Sequence, residues 1–73
     1  MEIKAKFGKI IKQLRSNKGF SQEELGHRAG LHRTYIGMIE RAEKNITIEN
    51  ICKLSKALDV PLSSIFLEIE KDG

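Results

Sequence analysis

Apolar residues recur at helical rather than alternating intervals along this chain, in five short stretches separated by glycine, proline or capping residues. Ile3, Phe7, Ile10, Ile11 and Leu14 fall in one arc of a helical wheel and predict a helix over 3–18, with Lys6, Lys9 and Lys12 on the water side and Gly19 as its stop. A second helix begins after Ser21, buries Leu25 and Ala29, and ends at Gly30. A third, at about 33–41, turns Ile36 and Ile39 inward. A fourth, at about 48–58, is capped by Thr47 and draws its inner stripe from Ile48, Ile51, Cys52, Ser55 and Leu58. Asp59-Val60-Pro61 interrupts the pattern, and Leu62, Ile65, Phe66 and Ile69 mark a last helix at about 62–69. The expected fold is all-α, with five helices in a single compact domain.

The second helix carries dense start signals. Ser21 as N-cap with Glu24 three residues on forms a capping box, and Phe20 with Leu25 forms a hydrophobic staple. Such a cap is worth ~1 kcal/mol. Gly26 is unfavourable inside a helix by up to ~1 kcal/mol relative to alanine, unless a neighbouring helix crosses there and leaves no room for a side chain. Gly30 suits a sharp turn, Leu31 points back into the core, and His32 stands at the start of the third helix as a weaker cap than Asp or Ser. Glu40 lies about 40° from Ile36 on the 3.6-residue wheel, on the inward side, while Arg15 borders the apolar arc of the first helix at about 80° from Phe7. A carboxylate held against a core needs a partner, so an Arg15–Glu40 pair is expected.

Length admits one domain, residues 1–73, whose small core would gain from association. The stripe Leu62, Ile65, Phe66, Ile69 exceeds what four other helices can cover and is expected to form a dimer interface. Cys52 is the only cysteine, which rules out an intrachain disulfide and makes an intracellular, cytoplasmic setting the default. His27 and His32 are five residues apart, a poor spacing for shared ligation, so neither metal nor cofactor is expected. No apolar run is long enough to span a membrane, and no secretory leader is evident. No nucleophile–base pair, carboxylate pair or phosphate-binding glycine loop occurs at usable spacing, which argues against an enzyme.

Charge sharpens the picture. The net charge is +3, but residues 1–19 carry six basic side chains against Glu2, and residues 61–73 carry Lys71 against Glu68, Glu70 and Asp72. This predicts a polyanion-facing end and an opposite, acidic one, against the plainer alternative of a solvated lysine face. The outward side of the third helix offers Thr34, Gly37, Met38 and Arg41, flanked by Arg33 and Tyr35. Arginine donates twice to guanine or phosphate, threonine offers a hydroxyl and a methyl, and glycine permits close approach. Tyr35 could instead serve the core or a phosphate, and Met38 could fill a gap. Gln22, in the first turn of the second helix, can face a phosphate beside free backbone N–H groups or be an ordinary surface residue. Lys44 and Asn45 lie in the loop that leads to the fourth helix, a second place for a phosphate.

The run Gln22, Leu25, Gly26, Gly30, Leu31, Ile36, Ile39 resembles the helix-turn-helix, here residues 21–41, of the lambda repressor and Cro-like superfamily. The Arg15–Gln22–Glu40 spacing is similar to that of lambdoid repressors, in which such an arginine and glutamate pair and such a glutamine holds phosphate. The stretch LHRTYIGMIERAEKNITIENI further resembles the controller proteins of restriction–modification systems. That resemblance implies DNA contacts by Arg33, Thr34 and Tyr35 and backbone contacts by Lys44 and Asn45. The sequence departs from the pattern in having His32 where aspartate is frequent, Gly37 for a polar residue, Gly26 for alanine, and Ala42 for the glycine that commonly follows Glu-Arg.

The resemblance implies a sequence-specific regulator that reads a pseudo-palindrome as a homodimer, with Gln22, Arg33, Thr34, Tyr35, Gly37, Arg41, Lys44 and Asn45 facing double-stranded DNA. RNA polymerase is a candidate third partner. A phage-like repressor or antitoxin of the same fold is the alternative within this class, and a protein-interaction module that has lost DNA binding is the alternative outside it.

Overall fold

A computed structural model describes residues 2–71, and every regular element among them is a helix: α1 Ile3–Lys18, α2 Gln22–Ala29, α3 Arg33–Glu40, α4 Ile48–Leu58 and α5 Leu62–Glu70. The bounds follow the local signals. Gly19 and Gly30 close α1 and α2 in the left-handed conformation, and the Ser21, His32 and Thr47 side chains each accept a backbone N–H at the starts of α2, α3 and α4. Only one arm of the expected capping box is used at Ser21, because the Glu24 carboxylate accepts instead from Arg28 Nε at 2.7 Å. The Arg28 guanidinium in turn lies 4.4 Å over the Phe20 ring.

The core joins Phe7 and Ile11 of α1, Leu25 and Ala29 of α2, Ile36 and Ile39 of α3, Leu54 and Leu58 of α4, and Ile65 and Ile69 of α5. Three expectations about it require correction. Ile48 is exposed and Leu54 takes the central place in α4, so the buried stripe there begins at Ile51. Ile3 is likewise exposed; both isoleucines are the first residue of their helix and lie past the edge of the core. Cys52 is only half-buried.

Two glycines set how closely the helices approach. A Cβ on Gly26 would collide with the Leu31 carbonyl, so the sharp α2–α3 crossing excludes alanine there. Gly8 does the same for α1 against α3: a Cβ would stand 2.5 Å from the Ile39 carbonyl oxygen and 2.8 Å from that of Glu40. Gly8 was not legible as a contact point, although a glycine between Phe7 and Ile11 in the middle of a helix is itself a signal of close approach.

The last helix does not present its whole stripe to a partner. Ile65 and Ile69 are 1% and 5% exposed within the single chain, so they belong to its core, and Ile69 offers only an edge to the cavity beside Phe66. Leu62 is half-buried, while Phe66 at 40% and Leu67 at 59% form the outer face of α5. The basic beginning of the chain is not segregated from its acidic end either. Lys6 donates to the backbone carbonyls of Ile69 at 3.3 Å and Lys71 at 3.5 Å, and Lys6 and Lys9 share a surface groove with Glu68. A lysine on the last carbonyls of a helix opposes the negative end of its dipole. Lys6 is therefore partly a tether between α1 and α5 and not simply a solvated charge.

Candidate nucleic-acid interface

Glu40, the last residue of α3, has a side chain only 4% exposed. Arg15 meets it in two parallel bonds, Nε to Oε2 at 2.7 Å and Nη2 to Oε1 at 3.0 Å, and gives Nη1 to the Phe20 carbonyl at 2.8 Å. This fork matches carboxylate geometry and is the strong form of an ion pair. The hydrogen bond to Glu40 raises the Arg15 pKa above its ordinary value, against the opposing effect of burial and with further help from the carboxylate charge. Gln22 Nε2 donates to the same Glu40 Oε1 at 3.0 Å. One carboxylate thus ties α1, the α1–α2 turn and the first turn of α2 to the end of α3. The expected Arg15–Glu40 pair is present; Gln22 joins it and keeps one amide hydrogen for another acceptor.

Gly37 is buried, not open. Gln22 Oε1 and Arg41 Nη1 lie over it, 3.4 and 3.0 Å from where a Cβ would stand. Its role here is to admit those two side chains, which cover the position where the family pattern has a polar residue and take the place of the close approach expected of a glycine on the outward face. Arg41 follows α3 and is held by Glu43 through Nε at 3.1 Å and Nη2 at 3.2 Å. The hydrogen bond from Arg41, with a smaller electrostatic contribution, lowers the Glu43 pKa, and the same bond raises that of Arg41. Both side chains are more than half exposed, so the pair is open to exchange for another partner.

The first turn of α3 differs in character. Arg33 and Thr34 are exposed, and Arg33 has only a loose ion pair with Glu23 at 3.7 Å. His32 Nδ1 accepts the Thr34 N–H at 3.0 Å, so this histidine caps the helix despite its weak preference for the position. Met38 is half-buried. Tyr35 is also half-buried, with its ring against the core and its hydroxyl accepting from Asn50 Nδ2 at 3.1 Å. Asn50 was missed in the sequence, where nothing distinguishes it from any polar residue in the first turn of a helix. Lys44 and Asn45 are exposed in the α3–α4 loop. That loop leaves α3 through Ala42, at φ 62°, the left-handed position at which glycine would be unstrained.

The geometry gathers Gln22, Arg33, Thr34, Tyr35 and Arg41 around α2 and α3, with Lys44 and Asn45 following in the adjoining loop. These are arginine, hydroxyl and amide groups of the kind that meet phosphates and base edges. A model of the helix-turn-helix family matches residues 11–65. Among relatives, the control protein C.MunI of Mycoplasma sp. is 39% identical over 72 residues, covering 97% of each chain. Control protein C.BamHI of Bacillus amyloliquefaciens is 48% identical over 59 residues, covering 80% of this chain and 73% of that one. Among solved structures, the restriction–modification controller protein C.AhdI from Aeromonas hydrophila superposes with a TM-score of 0.84 at 43% identity, covering 86% of this chain and 96% of the other.

Proposed function

Since this chain belongs to the helix-turn-helix family of DNA-binding regulators, which is not a class of enzymes, we propose that it acts as a restriction–modification controller, binding a pseudo-palindromic operator as a cytoplasmic homodimer. The observation that carries this reading is the contrast within α3: its last residue is locked by Arg15 and Gln22, while Arg33 and Thr34 at its start are exposed. A helix held in this way can present its first turn to the major groove in a fixed orientation. Arg33, Thr34 and Tyr35 would then meet base edges or adjacent phosphates. Gln22, Arg41, Lys44 and Asn45 would meet the backbone, Arg41 after exchanging Glu43 for a phosphate, and Gly37 would serve by admitting Gln22 and Arg41 to that surface.

Dimerisation is supported by the outer face of α5. Phe66 and Leu67 are exposed there, and Phe66 and Ile3 line an open cavity of about 180 Å³ together with Ile46 and Ile51. A side chain from a second copy would cover this apolar surface. No helix among the described residues is long and apolar enough to cross a membrane, which is compatible with the cytoplasmic setting. RNA polymerase enters as the machinery on which such a regulator would act, without a contact assigned to any residue.

Binding-site selection from a random duplex pool, at two salt concentrations, tests the proposal. The expected result is an enriched site with two related halves centred about 34 Å apart. Retention of DNA with no enriched sequence would reduce the protein to an electrostatic binder, and no retention at either salt would favour a protein-interaction module.

A further inference from the structure

We propose that Asn50 is a positioning residue for DNA recognition: its amide holds the Tyr35 hydroxyl as an acceptor and thereby turns the phenol into a hydrogen-bond donor toward DNA. The inference rests on the reading of Tyr35 as part of the DNA interface. Its structural basis is a bond between two first turns. Tyr35 stands in the first turn of α3 and Asn50 in the first turn of α4, and Asn50 Nδ2 donates to Tyr35 Oη at 3.1 Å.

The polarity of that bond matters because a phenol has one proton to give. With the amide N–H directed at its oxygen, the hydroxyl proton must point elsewhere. Among the described residues no group accepts it. The half-buried ring packs against the core, and the hydroxyl at its tip is the polar group Tyr35 offers for recognition. A donor so oriented selects acceptors: a phosphate oxygen, guanine O6 or N7, adenine N7 or thymine O4. It disfavours the amino groups of cytosine and adenine.

Asn50 is also suited to a clean test. The first turn of α4 is secured separately, by the Thr47 hydroxyl accepting the Asn50 backbone N–H at 3.1 Å, so changing the Asn50 side chain leaves that cap in place. Sequence gives no hint of this link, since the two residues are 15 apart and on different helices.

The experiment measures affinity of wild type, Tyr35→Phe, Asn50→Ala and the double variant for the duplex obtained by binding-site selection and for duplexes altered at each base pair. Circular dichroism checks that each variant is folded. Each single change is expected to weaken binding by roughly 3- to 10-fold, the worth of one hydrogen bond. The double variant is expected to bind no more weakly than Tyr35→Phe. Loss confined to one base pair would place the acceptor on a base edge, and equal loss on every duplex would place it on a phosphate; both support the donor role.

Additive losses would overturn the proposal by showing that Asn50 acts elsewhere. So would a neutral Asn50→Ala beside a weakened Tyr35→Phe, with the reading of Tyr35 left standing. A neutral Tyr35→Phe would instead remove that reading, and this inference with it. Asn50→Asp supplies the final arm, because a carboxylate can only accept. Compared with Asn50→Asp in the Tyr35→Phe background, which isolates its repulsion of phosphates, it is expected to show an additional loss when the hydroxyl is present. Absence of that additional loss would mean that the amide accepts from Tyr35, the opposite polarity.

Discussion

The two ends of α3 are built on different principles. At the C-terminal end a nearly buried carboxylate receives three side-chain hydrogen bonds from two other helices, and Gly8 brings the α1 backbone against the same turn. At the N-terminal end a histidine cap and the Asn50–Tyr35 bond hold the backbone and one ring, while Arg33 and Thr34 remain in water. A reading helix must be fixed in place yet free in its chemistry. On the proposed function, those demands are met at opposite ends of the eight residues of α3. The difference also separates two charged residues of one short helix: Glu40 is nearly buried and fully bonded, whereas Arg33 is exposed with one loose ion pair and is the residue proposed for recognition.

The sharpest test of this division is Arg15→Met. It leaves the Glu40 carboxylate buried with Gln22 as its remaining side-chain partner, and should lower stability by on the order of 3 kcal/mol in urea unfolding. An unchanged midpoint would mean that the C-terminal end is not braced by charge. Arg33→Ala should act in the opposite way, costing about 1–3 kcal/mol of affinity for the selected duplex and relaxing base preference while the urea midpoint stays put. If it destabilised the fold as Arg15→Met does, the two ends could no longer be told apart. The smallest effect is expected just beyond the braced end. Ala42→Gly should stabilise the protein by up to about 1 kcal/mol in thermal unfolding, because relief of the left-handed strain exceeds the extra freedom given to the unfolded chain. A loss there would show that the alanine methyl packs usefully.

The five helices and their ends were legible because caps and stops are local: Ser21, Gly30, Thr47 and Gly19 act within one turn of themselves. The Arg15–Glu40 pair was legible because both residues border apolar arcs, and a charge at such a border must be answered. What escaped depends on how helices meet. Ile3 and Ile48 fit the periodicity but lie at helix starts beyond the core, whereas Leu54, three residues after Ile51 and four before Leu58, lies on the helical stripe and could have been read from it. The stripe on α5 could not be divided into core and surface without knowing that α1 covers Ile65 and Ile69 from one side. In the candidate interface, the exposed state of Arg33, Lys44 and Asn45 followed from the pattern, whereas Gly37 beneath Gln22 and Arg41, and Asn50 against Tyr35, required the packing.

The Lys6 tether has one further consequence, which concerns the order hidden in loop lengths. Lys6 and Ile69 are 63 residues apart, so joining them gathers almost the whole chain, whereas α2 and α3 meet across a three-residue connection. Loop-closure entropy rises with the number of residues enclosed. The α2–α3 contact is therefore among the most local and least entropically demanding in the molecule, as is α4–α5 across its own three-residue connection, and the joint between the first and last helices is the most demanding. That same joint carries the exposed Phe66 and Leu67, so the contact that closes the chain on itself also fixes where its outer apolar face stands.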